Sequence, residues 1–116
     1  MVKIIVAGSR SFDDYKLMEE KLDELIRGRK NTEIVSGTAK GADLLGERYA
    51  RERGFEIKRF PADWDKFGKK AGYLRNEQMA KYANACVCFW DGNSRGTKSM
   101  IDLAEKHKLK TFVIRY

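Results

Sequence analysis

Three glycine-bearing turns restrict what this chain can fold into. GSRS at Gly8–Ser11, SGTAKGAD at Ser36–Asp43 and DGNSRGTKS at Asp91–Ser99 each follow a short apolar run and each open a segment of helical pattern. A turn that carries a strand into a helix leaves backbone N–H groups without intrahelical partners at the positive end of the helix dipole, where a phosphate or carboxylate is stabilised. Three such turns in one small chain predict a composite anion site.

The turns punctuate a regular alternation. Val2–Ala7 reads as a β-branched strand covered on both faces. A helix follows, capped by Asp13 or Asp14, with an apolar stripe of Leu17, Met18, Leu22, Leu25 and Ile26 that ends near Gly28. Thr32–Ser36 is the second strand, and Gly41–Arg53 the second helix, closed by Gly54. Phe55–Phe60 alternates like a less buried third strand and is stopped by Pro61, after which residues 61–71 read as a polar loop. A helix over Gly72–Tyr82, a strand over Ala85–Trp90, a helix over Thr97–Lys108 and a strand over Thr111–Arg115 complete the pattern.

Such alternation predicts an α/β fold in which right-handed crossovers build a five-stranded parallel sheet with helices on both faces. A strand order of 3-2-1-4-5 puts a topological switch between the first and fourth strands, and ligands of open α/β sheets bind there, at the carboxyl ends of the strands. The three glycine turns follow strands one, two and four, so all three are expected to line one crevice.

Composition narrows the class further. A chain of 116 residues fits a single domain over 1–116 that buries roughly two-thirds of its unfolded surface, enough for a core without disulfides or metal. The apolar stretch of MVKIIVAGSR is too short for a signal peptide or a membrane span, so a cytoplasmic protein with no membrane partner is expected. Cys86 and Cys88 stand two apart in a strand, share a face and read as buried thiols, with no second Cys or His cluster for a metal. His107, the single histidine, reads as a helix-end residue. The formal charge of +7 fits either nucleic acid held through its phosphates or a small anion concentrated at a cleft. Part of that charge is expected in helix-face pairs: Lys21 with Glu24, Arg48 with Glu52 and Arg51 with Glu47.

Each turn carries candidate ligand groups. In the first, Gly8 permits close approach, Ser9 offers a hydroxyl and Arg10 a forked donor. In the second, Ser36, Gly37, Thr38, Lys40 and Gly41 form a small-residue loop around one cation, and Asp43 either complements the helix dipole or accepts from ribose hydroxyls. That loop lacks the Gly-Lys-Ser/Thr ending of a Walker A motif and the full G-x-G-x-x-G fingerprint. In the third, Asp91, Gly92, Ser94, Arg95, Gly96 and Thr97 resemble a phosphate cradle, with Gly92 and Gly96 permitting positive φ. Outside the turns, Arg75 is a bidentate phosphate donor, Asn76 a partner for base or ribose, and Trp64 either a stacking surface or a core residue.

GSRSF, SGTAKGAD and LRNEQMAKYANACVCFWDGNSRGTKSMI, in this order and spacing, resemble the SLOG superfamily, specifically its YspA-like branch. The resemblance covers nearly the whole chain and implies a Rossmann-like fold that binds a nucleotide or nucleotide-derived ligand. Relatives include Lonely Guy phosphoribohydrolases and, more distantly, DNA-processing protein A, and because relatives often dimerise a homodimer stays open. Arg75 matches an Arg of the phosphoribohydrolases, and Gly96-Thr97 match the Gly-Thr of their P-G-G-x-G-T-x-x-E motif, but Met100 stands where that motif has Glu. A thioether does not stabilise an oxocarbenium-like state as a carboxylate does, and Glu77 or Asp102 could replace it only with changed geometry. The expectation is therefore a nucleotide-ligand binder with no certain cofactor and no assigned catalytic residue. The alternatives are a nucleic-acid module using the same crevice with Lys66, Lys69 and Lys70, and a phosphoribohydrolase-like enzyme with an altered site.

Overall fold

The structure, a computed structural model, describes all residues 1–116. Five parallel strands, β1 (Val2–Gly8), β2 (Thr32–Ser36), β3 (Glu56–Arg59), β4 (Ala85–Trp90) and β5 (Lys110–Arg115), form one sheet in the order β3-β2-β1-β4-β5. The expected strand order is present, with helices on both faces of the sheet. The helices are α1 (Tyr15–Ile26), α2 (Ala42–Arg53), the single turn α3 (Trp64–Phe67), α4 (Ala71–Tyr82) and α5 (Arg95–Lys106).

Strand alternation sorts the core into two layers. Ile4, Val6, Ile34, Val87 and Phe89 face α1 and α2, where Met18, Leu22, Ile26, Tyr49 and Ala50 meet them. Ile5, Ala7, Val35, Cys86 and Cys88 face the opposite way, onto Met79, Ala80, Met100, Leu103 and Ala104 of α4 and α5. Both cysteines are buried, and contact with Cys88 together with burial pushes the Cys86 thiol up, so it stays protonated and unreactive. Helix α2 carries Gly46 where it crosses β1: a Cβ there would lie 2.8 Å from a Val6 methyl, so the missing side chain sets the helix-to-sheet spacing.

Several boundaries differ from the sequence reading. The expected polar loop 61–71 contains α3, capped by the Asp63 carboxylate on the Lys66 N–H, and a 3-10 turn over Gly68–Lys70 that runs directly into α4. Helix α5 begins at Arg95, two residues before the expected Thr97, because the Ser94 hydroxyl caps the Thr97 N–H. Gly96 is therefore a helical residue with negative φ, whereas Gly92 has φ +88°. Of the expected charge pairs Arg48–Glu52 forms at 3.0 Å. Glu47 is buried and bonds Arg59 at 3.0 Å and the Ser36 hydroxyl at 2.7 Å instead of Arg51. His107 ends α5 as expected, half-buried, with its Nε2 buried and unpaired.

Gly41, which precedes α2, has φ +87°, and a Cβ on it would lie 2.5 Å from the carbonyl oxygens of Ser9 and Arg10. Gly54, which ends α2, has φ +73° with open space around it. Gly54→Ala is expected to cost about 1 to 2 kcal/mol, the backbone penalty alone. Gly41→Ala adds overlap with backbone that cannot move, for about 3 kcal/mol or more in all. Urea denaturation of the two variants measures the difference, and equal losses would show that the carbonyls at Gly41 yield freely.

Candidate functional site

At the carboxyl ends of β1 and β4 the sheet opens into a cleft of about 430 Å3 between the start of α5, one face of α4, the turn after β1 and the first turn of α2. Its floor is apolar, built from Ala7, Met79 and Met100. Four cations surround it, Arg10, Lys69, Arg75 and Arg95, and Asp43 is the one carboxylate among its lining residues. No group of His, Cys, Asp and Glu is placed to hold a metal ion.

The loop between β4 and α5 satisfies most of its own polar groups. Asp91 accepts from the N–H groups of Asn93 and Ser94, both at 2.8 Å, and these bonds hold its carboxyl below the usual carboxylate range. The Ser94 hydroxyl takes the Thr97 N–H at 3.3 Å and meets the Thr97 hydroxyl at 3.0 Å. Two donors are left over: the N–H groups of Arg95 and Gly96, in the first turn of α5, make no hydrogen bond within the protein, and both residues line the cleft. An added Cβ on Gly96 would meet nothing within 4 Å.

Arg75 is anchored rather than free. Its Nε donates to Asn76 Oδ1 at 2.9 Å and its Nη1 to the Gly37 carbonyl, leaving Nη2 without a protein acceptor. Asn76, buried, passes the chain of bonds on through its Nδ2 to the Gly96 carbonyl at 3.3 Å. One network thus joins the second turn, α4 and the start of α5. Gly37 makes room for it, since a Cβ there would lie 2.7 Å from both Arg75 Nη1 and Asp43 Oδ2. Burial draws the Arg75 guanidinium below its usual range, and Asp43 pulls it back up.

Asp43 is buried, and its Oδ2 accepts the Ala39 N–H at 3.1 Å. Burial pushes its carboxyl from 3.8 up to about 6, against the Ala39 N–H and the Arg75 and Arg10 charges, which hold it down, and with Glu47, which adds to the rise. Thr38, next to it, has φ +65°, unusual for a β-branched residue, and is held there by its N–H bond to the Ser36 hydroxyl at 3.0 Å.

A family model described as the YspA, cpYpsA-related SLOG family matches residues 2–67. The chain belongs to that family. Among curated proteins, the gene 61 protein of Mycobacterium phage D29 is 37% identical, with 91% of this chain and 90% of that protein covered. DNA processing protein A from Streptococcus pneumoniae has a similar structure, with a TM-score of 0.74 at 20% identity over 97% of this chain, which spans half of that protein (50%). DNA processing protein A from Helicobacter pylori, whose structure is described in terms of its single-stranded DNA binding mode, gives a TM-score of 0.70 at 20% identity, covering 97% of this chain and 64% of that one. At that identity both likenesses show the fold alone.

Within this SLOG domain the cleft gathers Gly8, Arg10, Asp43, Arg75, Asn76, Ser94, Arg95, Gly96 and Thr97 from the residues singled out in the sequence, together with Trp64, Lys69 and Met100. The others fall elsewhere. Ser9 is buried, with its hydroxyl accepting the Asp91 N–H at 3.3 Å. Ser36 is spent on Glu47, Gly37 lies beneath Arg75, and Thr38 and Asp91 serve their own loops. Lys40 and Gly41 face a separate basin, and Gly92 packs under the Arg115 guanidinium. Residues that the sequence reading missed are Ala7, Ala39, Gly72, Tyr73, Met79 and Ser99. A signal for two of them was present: Gly72, Arg75, Asn76 and Met79 follow the i, i+3, i+4, i+7 spacing of one helix face. Trp64, 51% exposed, stands at the rim with Tyr73, 48% exposed, rather than in the core.

Because Asp43 binds its proton more tightly folded than unfolded, its contribution to stability is present below about pH 4 and is lost as pH rises through about 6. Asp43→Asn keeps an acceptor for the Ala39 N–H without the charge. Between pH 4 and pH 7 the variant is expected to gain about 2 to 3 kcal/mol on the wild type, since holding a carboxyl at about 6 instead of 3.8 is worth about 1.36 kcal/mol for each pH unit between the two. Parallel stability curves for the two proteins across that range would contradict a buried, raised Asp43.

Proposed function

We propose that the protein binds a phosphorylated nucleoside, or a ligand built from one, in this cleft. The observation that supports this best is the cleft's polarity. The cleft is lined by the uncommitted N–H groups of Arg95 and Gly96 and by Arg75, whose Nη2 has no protein acceptor, all donors for phosphate, and its rim presents the exposed rings of Trp64 and Tyr73, a surface for a base. The volume of about 430 Å3 falls in the range of small-molecule sites. Family membership supports the same ligand class.

In this reading the protein binds its ligand without cleaving it. Met100 is buried in the cleft floor, and neither Glu77 nor Asp102 lines the cleft. The single carboxylate there, Asp43, is held by its own loop. Chromatography after long incubation with AMP, GMP and cytokinin-type monophosphates is expected to show no free base; turnover of about 1 per second or faster would reverse the reading.

A second reading has its own support in the α3 segment, where Lys66, Lys69 and Lys70 alternate with exposed Trp64 and Phe67, the composition of a single-strand platform. The Helicobacter neighbour, described with a single-stranded DNA binding mode, shares the fold.

Thermal scans with a panel of mono-, di- and triphosphates, dinucleotides and ADP-ribose derivatives test the two together. A true ligand at a hundredfold excess over Kd adds about 2.7 kcal/mol, and with about 4 °C per kcal/mol the midpoint rises by roughly 10 °C. Arg95 is exposed and unpaired, so Arg95→Ala is expected to leave the unliganded midpoint unchanged and to weaken binding by about 10- to 150-fold, the loss of one charge-assisted contact. Arg75→Ala is a less clean probe because it also unties Gly37 and Asn76. A silent panel, with short single-stranded DNA raising the midpoint in a steeply salt-dependent way, would replace the nucleotide reading by the nucleic-acid one.

A further inference from the structure

Arg10 belongs to two cavities. Beyond the cleft, between the turn after β1 and the start of α2, lies a second basin of about 430 Å3 whose lining also includes Arg10. Arg10 lines both spaces, and its exposed guanidinium makes no hydrogen bond or ion pair with the protein. The basin differs chemically from the cleft. Leu44 and Leu45 give it an apolar side against the buried Phe12, and Lys40 and Asp13 are the charged residues of its lining besides Arg10. Leu44 is 47% exposed in the first turn of a helix, a large apolar side chain left to solvent where a polar residue would serve the fold equally well.

We infer that the ligand is made of two nucleoside units joined through phosphate, with the linking phosphates against Arg10 and the second nucleoside in the basin of Phe12, Leu44 and Leu45. This rests on the nucleotide reading of the cleft and extends it. Asp13 decides which part of the ligand enters: a carboxylate repels a second phosphate but accepts from ribose hydroxyls or an exocyclic amine. The Leu44 and Leu45 side chains offer apolar contact to a base or sugar face. Arg10 is the residue that lines both spaces, and its planar fork, with no internal partner, suits a phosphate bridge.

The experiment compares AMP with P1,P2-di(adenosine-5′) diphosphate by calorimetry on the wild type, Leu44→Glu and Arg10→Ala. Leu44 lines the basin and not the cleft, and its exposure lets it be replaced without cost to the core. The dinucleotide is expected to bind the wild type about tenfold or more tighter than AMP, and Leu44→Glu to remove that advantage while leaving AMP affinity unchanged. Arg10→Ala is expected to weaken the dinucleotide more than AMP. Equal affinity of the two ligands for the wild type, or a dinucleotide advantage that survives Leu44→Glu, would overturn the second subsite while leaving the cleft reading intact. If neither ligand binds, both readings fall.

Discussion

Ser9 ties the three turns of this protein together. Its N–H donates to the Phe89 carbonyl at 3.0 Å, its carbonyl accepts from Phe12 at 3.1 Å and from Ala42 at 3.4 Å, and its hydroxyl accepts the Asp91 N–H. One buried residue thus fixes the turn after β1 to the end of β4, to the first residue of α2 and to the loop that leads into α5. The contacts require backbones to pass closely, which is why Gly41 lies against the Ser9 and Arg10 carbonyls with no room for a Cβ. The cleft exists because these turns are held in a fixed relation to one another at the switch between β1 and β4.

The same residue marks the limit of what the sequence makes legible. Hydrophobic periodicity and glycine punctuation are local signals, and they lead correctly to the parallel sheet, its strand order and the common edge where the turns meet. Whether a serine hydroxyl in such a turn faces a ligand or a neighbouring backbone is a tertiary question. Ser9 and Ser36 look like ligand groups in sequence, yet both are spent inside the fold, on Asp91 and Glu47. Arg75 shows the converse, being part of the cleft and at the same time the tie between the second turn and α4.

Boundary errors have equally local causes. Both Ser94 and Thr97 are able to cap α5, and the choice of Ser94 moves two N–H groups, those of Arg95 and Gly96, to the mouth of the cleft. The stretch 61–71 reads as loop because its apolar residues, Trp64 and Phe67, show no buried face, and they remain exposed in the structure. What a polar-loop assignment misses is their placement: four residues of helix, capped by Asp63, carry a tryptophan to the rim of the cleft.

What sets the cleft apart from the loops around it is which groups are left uncommitted. Asp91, Ser9, Ser36 and Asn76 bond within the protein, so they are rigid and unavailable. The Arg95 and Gly96 N–H groups and one arm of Arg75 are held in place without a partner, and the exposed Arg10 side chain is unpaired. Donors already oriented by the fold meet an anion with little reorganisation, and that is where electrostatic contacts are strongest. Asp43 is the counterweight. A carboxylate among four cations, with its pKa raised by burial rather than lowered by them, costs affinity for any ligand that is only phosphate. It favours one that brings a hydroxyl or amine donor to the same place. In the proposed reading that asymmetry separates a nucleotide, which carries both chemistries within a few ångströms, from the inorganic phosphate that would otherwise fill the same donors.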